Sequence, residues 1–266
     1  MSAEAPRRGA VVPTSFLDEL YAIYALWVRE VLVFSREKPR VISAIAQPLI
    51  WVGLVGTGFS STIPQSATGG VDYRAYMFGG VIAQTVLFGT VFFGMYIVWD
   101  RKQDVLKEVL VAPISRLSIF FGKVVGGATE SMLQGVILLT IGLFAFHVTP
   151  LGALAALGFV ALLAIAFVSI GLTIGSFFES FEGFQAILSF LLFPLFFLSG
   201  ALFPTGNLPA WLTVLVRLNP VTYAVDGLRG TTVGVHQFDY ALDVGVLLGF
   251  CLVTIAVGTW AFRRMK

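Results

Sequence analysis

The chain has 266 residues, of which 57% are hydrophobic and 12% charged, and its mean hydropathy is +0.89. Soluble domains carry about 25% charged residues, so this composition excludes an ordinary soluble protein. The net charge of +2 is too small to indicate nucleic-acid binding, and the single cysteine, Cys251, excludes an intrachain disulfide.

The N-terminal segment divides into two parts of different composition. Residues 1–13 are rich in Ala, Pro and Arg and have little to bury, so we expect them to be disordered and cytoplasmic. Residues 14–36 repeat apolar side chains at helical spacing, which predicts an amphipathic helix in the headgroup layer. The alternative is that residues 14–36 form a seventh transmembrane helix, although each charge near the bilayer centre would then cost about 2.5–3.5 kcal/mol. The residues that mark the predicted interfacial helix are Phe16, Leu20, Trp27 and Val31.

Six apolar stretches follow, and each is long enough for a helix to cross a hydrocarbon core of about 30 Å. They cover residues 41–60, 76–98, 118–146, 151–178, 184–203 and 244–262. The predicted fold class is therefore an all-α membrane protein with six transmembrane helices. Pro48 and Pro194 lie inside two of these stretches, where we expect kinks and not helix ends.

The basic residues segregate to alternate connections between these stretches. Fourteen of the seventeen Lys and Arg residues lie in the N-terminal segment, in the second connection with its flanks, or in the tail. The opposite side holds Arg74, Arg217 and Arg229. Because Lys and Arg are retained in the cytoplasm, we expect both termini there.

The connection between the second and third stretches is strongly charged and is expected to be cytoplasmic. Residues 104–111 can form a short amphipathic helix, which Pro113 ends. The apolar face of such a helix needs the membrane surface or another protein to cover it. The residues assigned to this helix and its exit are Asp104, Val105, Leu106, Lys107, Glu108, Val109, Leu110, Pro113 and Arg116.

The connection before the last stretch, residues 204–243, is expected to be external and is not uniformly polar. Asn219-Pro220 separates two short apolar pieces. We expect short re-entrant helices that dip into the outer leaflet, because such backbone is tolerated where protein covers it. A pair of helices lying flat on the outer surface is the alternative. The residues singled out in this segment are Asn219, Pro220, Tyr223, Asp226 and Arg229.

Reactive groups of the kind that enzymes use are sparse in this sequence. Its two histidines, His147 and His236, are far apart, and we expect no metal site. No Gly-rich phosphate loop that would bind ATP occurs. Glu130, inside a predicted span, either takes part in proton or ion coupling, or hydrogen-bonds a neighbouring helix, or lies near the cytoplasmic headgroups. Candidates for a pathway or dimer interface are Glu130 and the rings of Phe88, Phe92, Phe190, Phe193 and Phe197, which would equally suit lipid contact or packing.

Three motifs, in order along the chain, resemble those of ABC-2 type transport permeases. Residues 101–116 resemble the family's first cytoplasmic loop, with its Leu-rich stretch and its Pro-Ile-Ser-Arg end. Residues 193–204 resemble its fifth helix, with Ser-Gly and a Phe-Pro exit. Residues 218–229 resemble the element before its sixth helix. With six helices and internal termini, the resemblance covers nearly the whole chain.

The resemblance implies an ABC-2 type six-helix domain over residues 41–262 and a cytoplasmic tail at residues 263–266. Two such permeases pair with two ATP-binding cassette subunits, which hold the ATP and Mg, so this chain would bind no cofactor itself. The predicted helix at residues 104–111 would be the coupling helix that docks on the ATPase. The resemblance therefore implies an exporter of an amphipathic, lipid-linked, glycan or drug substrate in a bacterial inner membrane. We expect the chain to form a homodimer and to contact membrane lipids, with no nucleic acid as partner.

Two other functions compete with this interpretation. A secondary transporter driven by an ion gradient would need paired carboxylates inside the membrane, and the sequence offers Glu130 alone. A membrane enzyme or a scaffold would need a cluster of polar side chains at one membrane face, and the sequence pattern does not indicate one.

Overall fold

A computed structural model describes residues 15–103, 114–206 and 208–264, and within these ranges every regular element is helical. The predicted coupling helix and residues 1–13 lie outside the described residues. The helices are α1 (Phe16–Arg36), α2 (Lys38–Ile50), α3 (Thr57–Ser60), α4 (Tyr73–Phe93), α5 (Met95–Lys102), α6 (Arg116–Ala145), α7 (Pro150–Phe177), α8 (Phe181–Phe197), α9 (Ala210–Leu218), α10 (Pro220–Val233) and α11 (Tyr240–Arg264).

Five helical segments are long and apolar enough to cross a membrane. They are Val41–Ser60, Gln65–Lys102, Arg116–Ala145, Pro150–Phe177 and Tyr240–Arg264. The fifth predicted stretch, residues 184–203, is helical only as far as Phe197, and α8 has 17 residues, or about 26 Å. Its predicted end was wrong because the chain turns at Gly200, whose φ of +74° lies in the left-handed region that favours glycine.

Two of the spanning segments are interrupted. In the first, α2 passes through Pro48 and continues as a π-helical turn, Trp51–Gly56, before α3 begins. Prolines and π-turns are both recognised causes of helix bending. In the second, α4 and α5 meet at Gly94, where a Cβ atom would lie 2.0 Å from the carbonyl oxygen of Gly171. Only glycine fits at that crossing, so the close approach of α7 fixes where α4 ends.

The centre of the molecule is formed by α4 and α7, which pack against each other. α4 also contacts α6, α8 and α10. In the segment Gln65–Lys102, which contains α4, 67% of the most apolar stretch of residues is buried. The corresponding fraction is 17% in the first span and 28% in α11. The first span and α11 are therefore peripheral, and a bilayer would cover their outward apolar side chains. Large side chains that are fully buried include Phe78, Phe167, Phe184 and Phe196.

The helix predicted at residues 14–36 is present as α1, and it lies along α6. Leu26, Glu30 and Phe34 are buried on the side that faces the other helices. The opposite side is aromatic, and Phe16 and Tyr21 there are 76% and 72% exposed. The location of this aromatic side in the headgroup layer stays a prediction.

Candidate functional site

α1 is seated in a groove of α6 that two glycines keep open. A Cβ atom at Gly122 would lie 2.7 Å from the Leu26 Cβ, and one at Gly126 would lie 2.7 Å from the Glu30 Cβ. Separations below 3.0 Å force something to shift, so any larger residue at these positions would push α1 outward. Close backbone approach thus brings the charged side chains of α1 onto α6.

Four charged side chains meet where α1, α5 and α6 come together. Lys123 Nζ lies 3.1 Å from Glu30 Oε1 and 2.8 Å from Asp100 Oδ2. Arg29 reaches the same two carboxylates, at 3.3 Å from Glu30 and 3.2 Å from Asp100. Lys123 is 1% exposed, Asp100 5% and Glu30 7%, so three of the four are shielded from water. Arg29, Glu30, Asp100 and Lys123 together form a charge cluster.

The charge cluster is balanced, because it holds two cations and two carboxylates. Burial alone would lower the pKa of Arg29, but the carboxylates of Asp100 and Glu30 raise the pKa of its guanidinium above the ordinary value. Losing one partner from a buried ion pair leaves an uncompensated charge, which is strongly destabilising. The cluster therefore favours one arrangement of α1, α5 and α6.

Sequence reasoning did not bring the charge cluster together. From the sequence alone, Arg29 and Lys123 are expected to be cytoplasmic charges that orient the chain, and no pattern indicates Asp100. One signal was available, since Lys123 lies seven residues beyond Arg116 in a helix that is otherwise largely apolar. Such a position favours a lysine with a buried partner over a freely solvated one.

Replacing Gly126 by leucine is expected to displace α1 from α6, because the new side chain would occupy the space of Glu30. We expect the free energy of unfolding to fall by about 1–3 kcal/mol, as for other overpacked sites, and amide exchange along α1 to speed up. Hydrogen exchange of the purified protein in lipid nanodiscs measures the second effect.

Gly249→Leu is the matched control, because a Cβ atom at Gly249 on α11 meets nothing within 4 Å. It should leave exchange along α1 unchanged. Equal protection of α1 in the Gly126→Leu and Gly249→Leu variants would contradict the assigned groove.

Both ends of the connection that holds the predicted coupling helix are tied to other helices. On one side, the Arg101 guanidinium donates to the carbonyl oxygens of Ser176 at 2.9 Å and Phe178 at 3.0 Å, at the end of α7. On the other side, the backbone N–H of Ser115 donates to both carboxylate oxygens of Glu19 at 3.1 Å. A force on this connection would therefore reach α1 and α7 directly.

Arg116, assigned from the sequence to the exit of the coupling helix, is the first residue of α6. Its guanidinium donates to the carbonyl oxygen of Arg263 at 3.1 Å, so the start of α6 contacts the end of α11. The other members of that set, from Asp104 to Pro113, lie outside the described residues. Their docking role stays a prediction.

The four residues predicted to mark the interfacial helix divide between two sides of α1. Phe16 is 76% exposed and Leu20 is 45% exposed. Trp27 and Val31 are half-buried, and Trp27 Nε1–H donates to Thr129 Oγ1 on α6 at 2.9 Å. The first pair is free to meet lipid, whereas Trp27 helps to hold the helix on the spans.

Phenylalanine rings of α4 and α8 form a contiguous group. The ring centroid of Phe88 lies 5.6 Å from that of Phe193 and 6.5 Å from that of Phe92. Phe193 stacks in turn on Phe197, at 6.3 Å. The structure thus brings four of the five predicted rings together, while Phe190 is 84% exposed. Their role in a pathway or a dimer interface stays a prediction.

Glu130 is buried on α6, at 6% exposure, and its Oε1 accepts from the Gln134 amide at 3.4 Å. It lines a cavity of 300 Å³ between the first span, α4 and α6, to which Phe88 and Phe92 also contribute. Glu130 therefore lies in the lining of a cavity next to the phenylalanine group.

The connection at residues 204–243 contains a helix junction that the sequence marks clearly. Asn219 caps α10, since its Oδ1 accepts the Val221 backbone N–H at 3.0 Å, and Pro220 is the first residue of that helix. The Tyr223 hydroxyl donates back across the junction to the carbonyl oxygen of Arg217 at 2.7 Å. These bonds fix the angle between α9 and α10.

Asp226 and Arg229 hold α10 to its surroundings. Asp226 accepts the Gln237 backbone N–H at 2.8 Å. Arg229 is buried, donates to the carbonyl oxygens of Tyr76 at 3.1 Å and Gly200 at 2.7 Å, and lies 3.7 Å from the centroid of the Tyr76 ring. α10 also packs on α4, α7 and α11. The segment is thus anchored to the spanning helices.

Comparison with protein families gives one match over most of the chain. The model of the family described as ABC-2 type transporter covers residues 21–233. This range runs from within α1 to the end of α10, and it includes the charge cluster, the residues of the predicted coupling helix, and helices α9 and α10.

Individual relatives are similar over comparable lengths. Nodulation protein J of Rhizobium leguminosarum bv. viciae is 26% identical over 258 residues, which cover 96% of this chain and 97% of that protein. The Pyropia yezoensis protein ycf38, named as a transport permease, is 32% identical over 213 residues, 78% of this chain and 72% of its own length. The Escherichia coli K12 protein YbhR, named as a multidrug ABC transporter permease, is 28% identical over 202 residues, 74% of this chain and 53% of its own length.

Proposed function

We propose that this chain, which belongs to the ABC-2 type transporter family, is the membrane-spanning subunit of an exporter powered by a separate ATPase. Permeases of this family work with ATP-binding cassette subunits. The cassette subunit would hold the ATP and Mg, and this chain would bind no cofactor. Hydrolysis on the partner would drive cargo outward across a bacterial inner membrane.

The observation that carries the proposal is that the described residues on either side of the predicted coupling helix, Arg101 and Ser115, are hydrogen-bonded to other helices. Arg101 is bonded to α7, and Ser115 is bonded to Glu19 of α1. In addition to these hydrogen bonds, the ion pairs of Lys123 in the charge cluster connect α1, α5 and α6. A push on the predicted coupling helix would therefore move three helices together, which is what a transmission element needs.

Closure of the cassette subunits would then bias this helix group between two arrangements. A ligand can shift such an equilibrium only by its differential affinity for the two states. ATP would supply that difference on the partner, and the membrane helices would change access from one side to the other. A second copy of this chain would complete the pathway, with the Phe88, Phe193 and Phe197 rings near the pathway or the dimer contact.

The proposed topology has six spans, with α8 as the fifth and both termini cytoplasmic. In this arrangement α1 lies in the inner headgroup layer, where its exposed Phe16 and Leu20 would meet lipid. α9 and α10 form the external re-entrant element. Burial of α10 against α4, α7 and α11 favours re-entry over helices lying flat on the outer surface.

The cargo class is proposed to be amphipathic, either lipid-linked, glycan or drug-like. One relative is named as a nodulation protein, and another is named as a multidrug transporter permease. The peripheral first span and the aromatic lining near it suit a molecule with an apolar part. The carboxyl and amide side chains in the lining of the cavity beside Glu130 suit a polar headgroup.

Affinity purification of the tagged permease from native membranes tests the partner. We expect mass spectrometry to find an ATP-binding cassette subunit with a Walker A loop, at about one copy per permease chain. A pure permease preparation, with no nucleotide-binding protein under several mild detergents, would contradict the proposal.

A further inference from the structure

The first turn of α11 buries a carboxyl group that has no hydrogen-bond partner among the described residues. Asp243 is 0% exposed, and no hydrogen bond from those residues reaches either of its carboxyl oxygens. An ionised carboxylate that is buried without donors loses its hydration with no compensation, which costs far more than burying the neutral acid. The geometry therefore favours Asp243 as a protonated carboxylic acid when α11 is packed against its neighbours.

Two neighbouring carboxylates also oppose a negative charge on Asp243. Asp226 on α10 and Asp239 at the start of α11 act on it as like charges, whereas His236 acts as an opposite charge. Tyr240, three residues earlier on α11, also faces Asp243. Because like charges repel strongly where water does not screen them, ionisation of Asp243 would strain the contact between α10 and α11.

The other helices that pack against α11 bring no compensating charge to this end of it. α7, Pro150–Phe177, contains no titratable side chain. α6 is hydrogen-bonded to the opposite end of α11, through Arg116 and Arg263. On α10, Arg229 donates to the carbonyl oxygens of Tyr76 and Gly200, away from Asp243. The balance at this position therefore depends on Asp243 and the neighbours named above.

Asp226 connects this balance to the stretch of chain that joins α10 to α11. Its carboxylate oxygens accept the backbone N–H of Gln237 at 2.8 Å and the backbone N–H of Phe238 at 2.8 Å. The same carboxylate that would repel an ionised Asp243 thus holds residues 237–238 in place. Because α10 and α11 also pack directly on each other, moving them apart would relieve the repulsion and admit water to Asp243.

We propose that Asp243 is a proton-operated lock at this end of the protein. With its proton, the acid lets α10 and α11 close on each other, and loss of the proton opens this contact and releases residues 234–239. In the proposed topology this end faces the outside, so the lock responds to external pH. The inference goes beyond the proposed function, because the lock requires neither the ATPase nor the cargo.

The direction of the pH dependence follows from the proton that closing takes up. The acid is neutral in the closed state and ionised in the open, hydrated state, so the ratio of closed to open protein falls by up to about tenfold for each unit that the pH rises. Closure is fully favoured below about pH 4, where an exposed aspartate is itself protonated, and is lost progressively as the pH rises above that value.

Infrared spectroscopy of the full-length permease in lipid nanodiscs reads the proton directly. At neutral pH the difference spectrum between the wild type and Asp243→Asn should contain the carbonyl stretch of a protonated carboxylic acid. A difference spectrum that contains only carboxylate bands would overturn the lock. The preparation holds no cassette subunit, so this result and the test of the ATPase partner can fail independently.

Hydrogen exchange of residues 234–243, compared between variants at the same pH, measures the opening. Asparagine resembles the neutral acid in shape, so at about pH 8 the wild type should exchange about tenfold faster than Asp243→Asn, and the two should agree near about pH 4. Asp239→Asn is the matched control, because Asp239 is exposed and asparagine also caps helices. This control should follow the wild type.

Two outcomes of the exchange experiment would contradict the lock. One is an Asp243→Asn variant whose exchange depends on pH as that of the wild type does. The other is loss of the pH dependence in His236→Gln, which would assign the effect to the imidazole that acts on Asp243.

Discussion

Replacement of Lys123 by methionine is expected to lower the free energy of unfolding by about 3–5 kcal/mol, the usual cost of removing one partner from a buried ion pair. Glu30 and Asp100 would be left buried, and Arg29 at the edge of the cluster would compensate them incompletely. Methionine preserves most of the volume, so the loss reports on charge and not on packing. Equilibrium denaturation of the purified permease in lipid measures it.

Arg74→Met is the matched control, because Arg74 pairs with Asp72 at 3.1 Å where both side chains are more than 40% exposed. An exposed pair contributes about 0–1 kcal/mol. The triple change of Lys123→Met, Glu30→Gln and Asp100→Asn should recover part of the loss, since it removes the uncompensated charges. A Lys123→Met variant as stable as Arg74→Met would show that the charge cluster does not hold the helices.

Changing Val105, Leu106 and Leu110 together to aspartate is expected to abolish association with the cassette subunit. These residues form the apolar face of the predicted coupling helix, and amphipathic helices dock by placing that face in a groove. The segment lies outside the described residues, so the expectation rests on its sequence pattern and on the fixed ends at Arg101 and Ser115. Co-purification from membranes, quantified by mass spectrometry, provides the measurement.

A double change of Lys107 and Glu108 to alanine serves as the control, because these residues lie on the opposite side of the predicted helix. It should retain most of the association. If the aspartate variant still co-purifies the cassette subunit at wild-type levels, docking must use another part of the permease.

Hydropathy was sufficient to predict most of the fold, because each span is a local property of about 20 residues. Five of the predicted stretches are helical segments of spanning length. The end of α8 was predicted too late because apolar composition continues to Phe203, while the backbone already turns at Gly200. Hydropathy detects what lies in the membrane, but it cannot detect where a helix stops inside it.

The charge cluster could not be predicted in the same way, because its contacts are tertiary. Lys123 and Glu30 are 93 residues apart in sequence. Hydropathy describes each residue separately, so it cannot show that the two side chains are in contact. Arg229 presents the same difficulty, since it bonds the carbonyl oxygen of Tyr76, 153 residues away. By contrast, the Asn219-Pro220 junction was predictable, because a cap and a first-turn proline act on their own helix.

The most direct test of the account measures motion in the intact complex without knowledge of the cargo. Spin labels at Phe190→Cys, in a Cys251→Ala background, report the distance between two permease copies. We predict that ATP shifts this distance, that the shift is absent when the Walker A lysine of the cassette subunit is replaced, and that ionophores have no effect. A shift driven by an ion gradient in the permease alone would contradict the account.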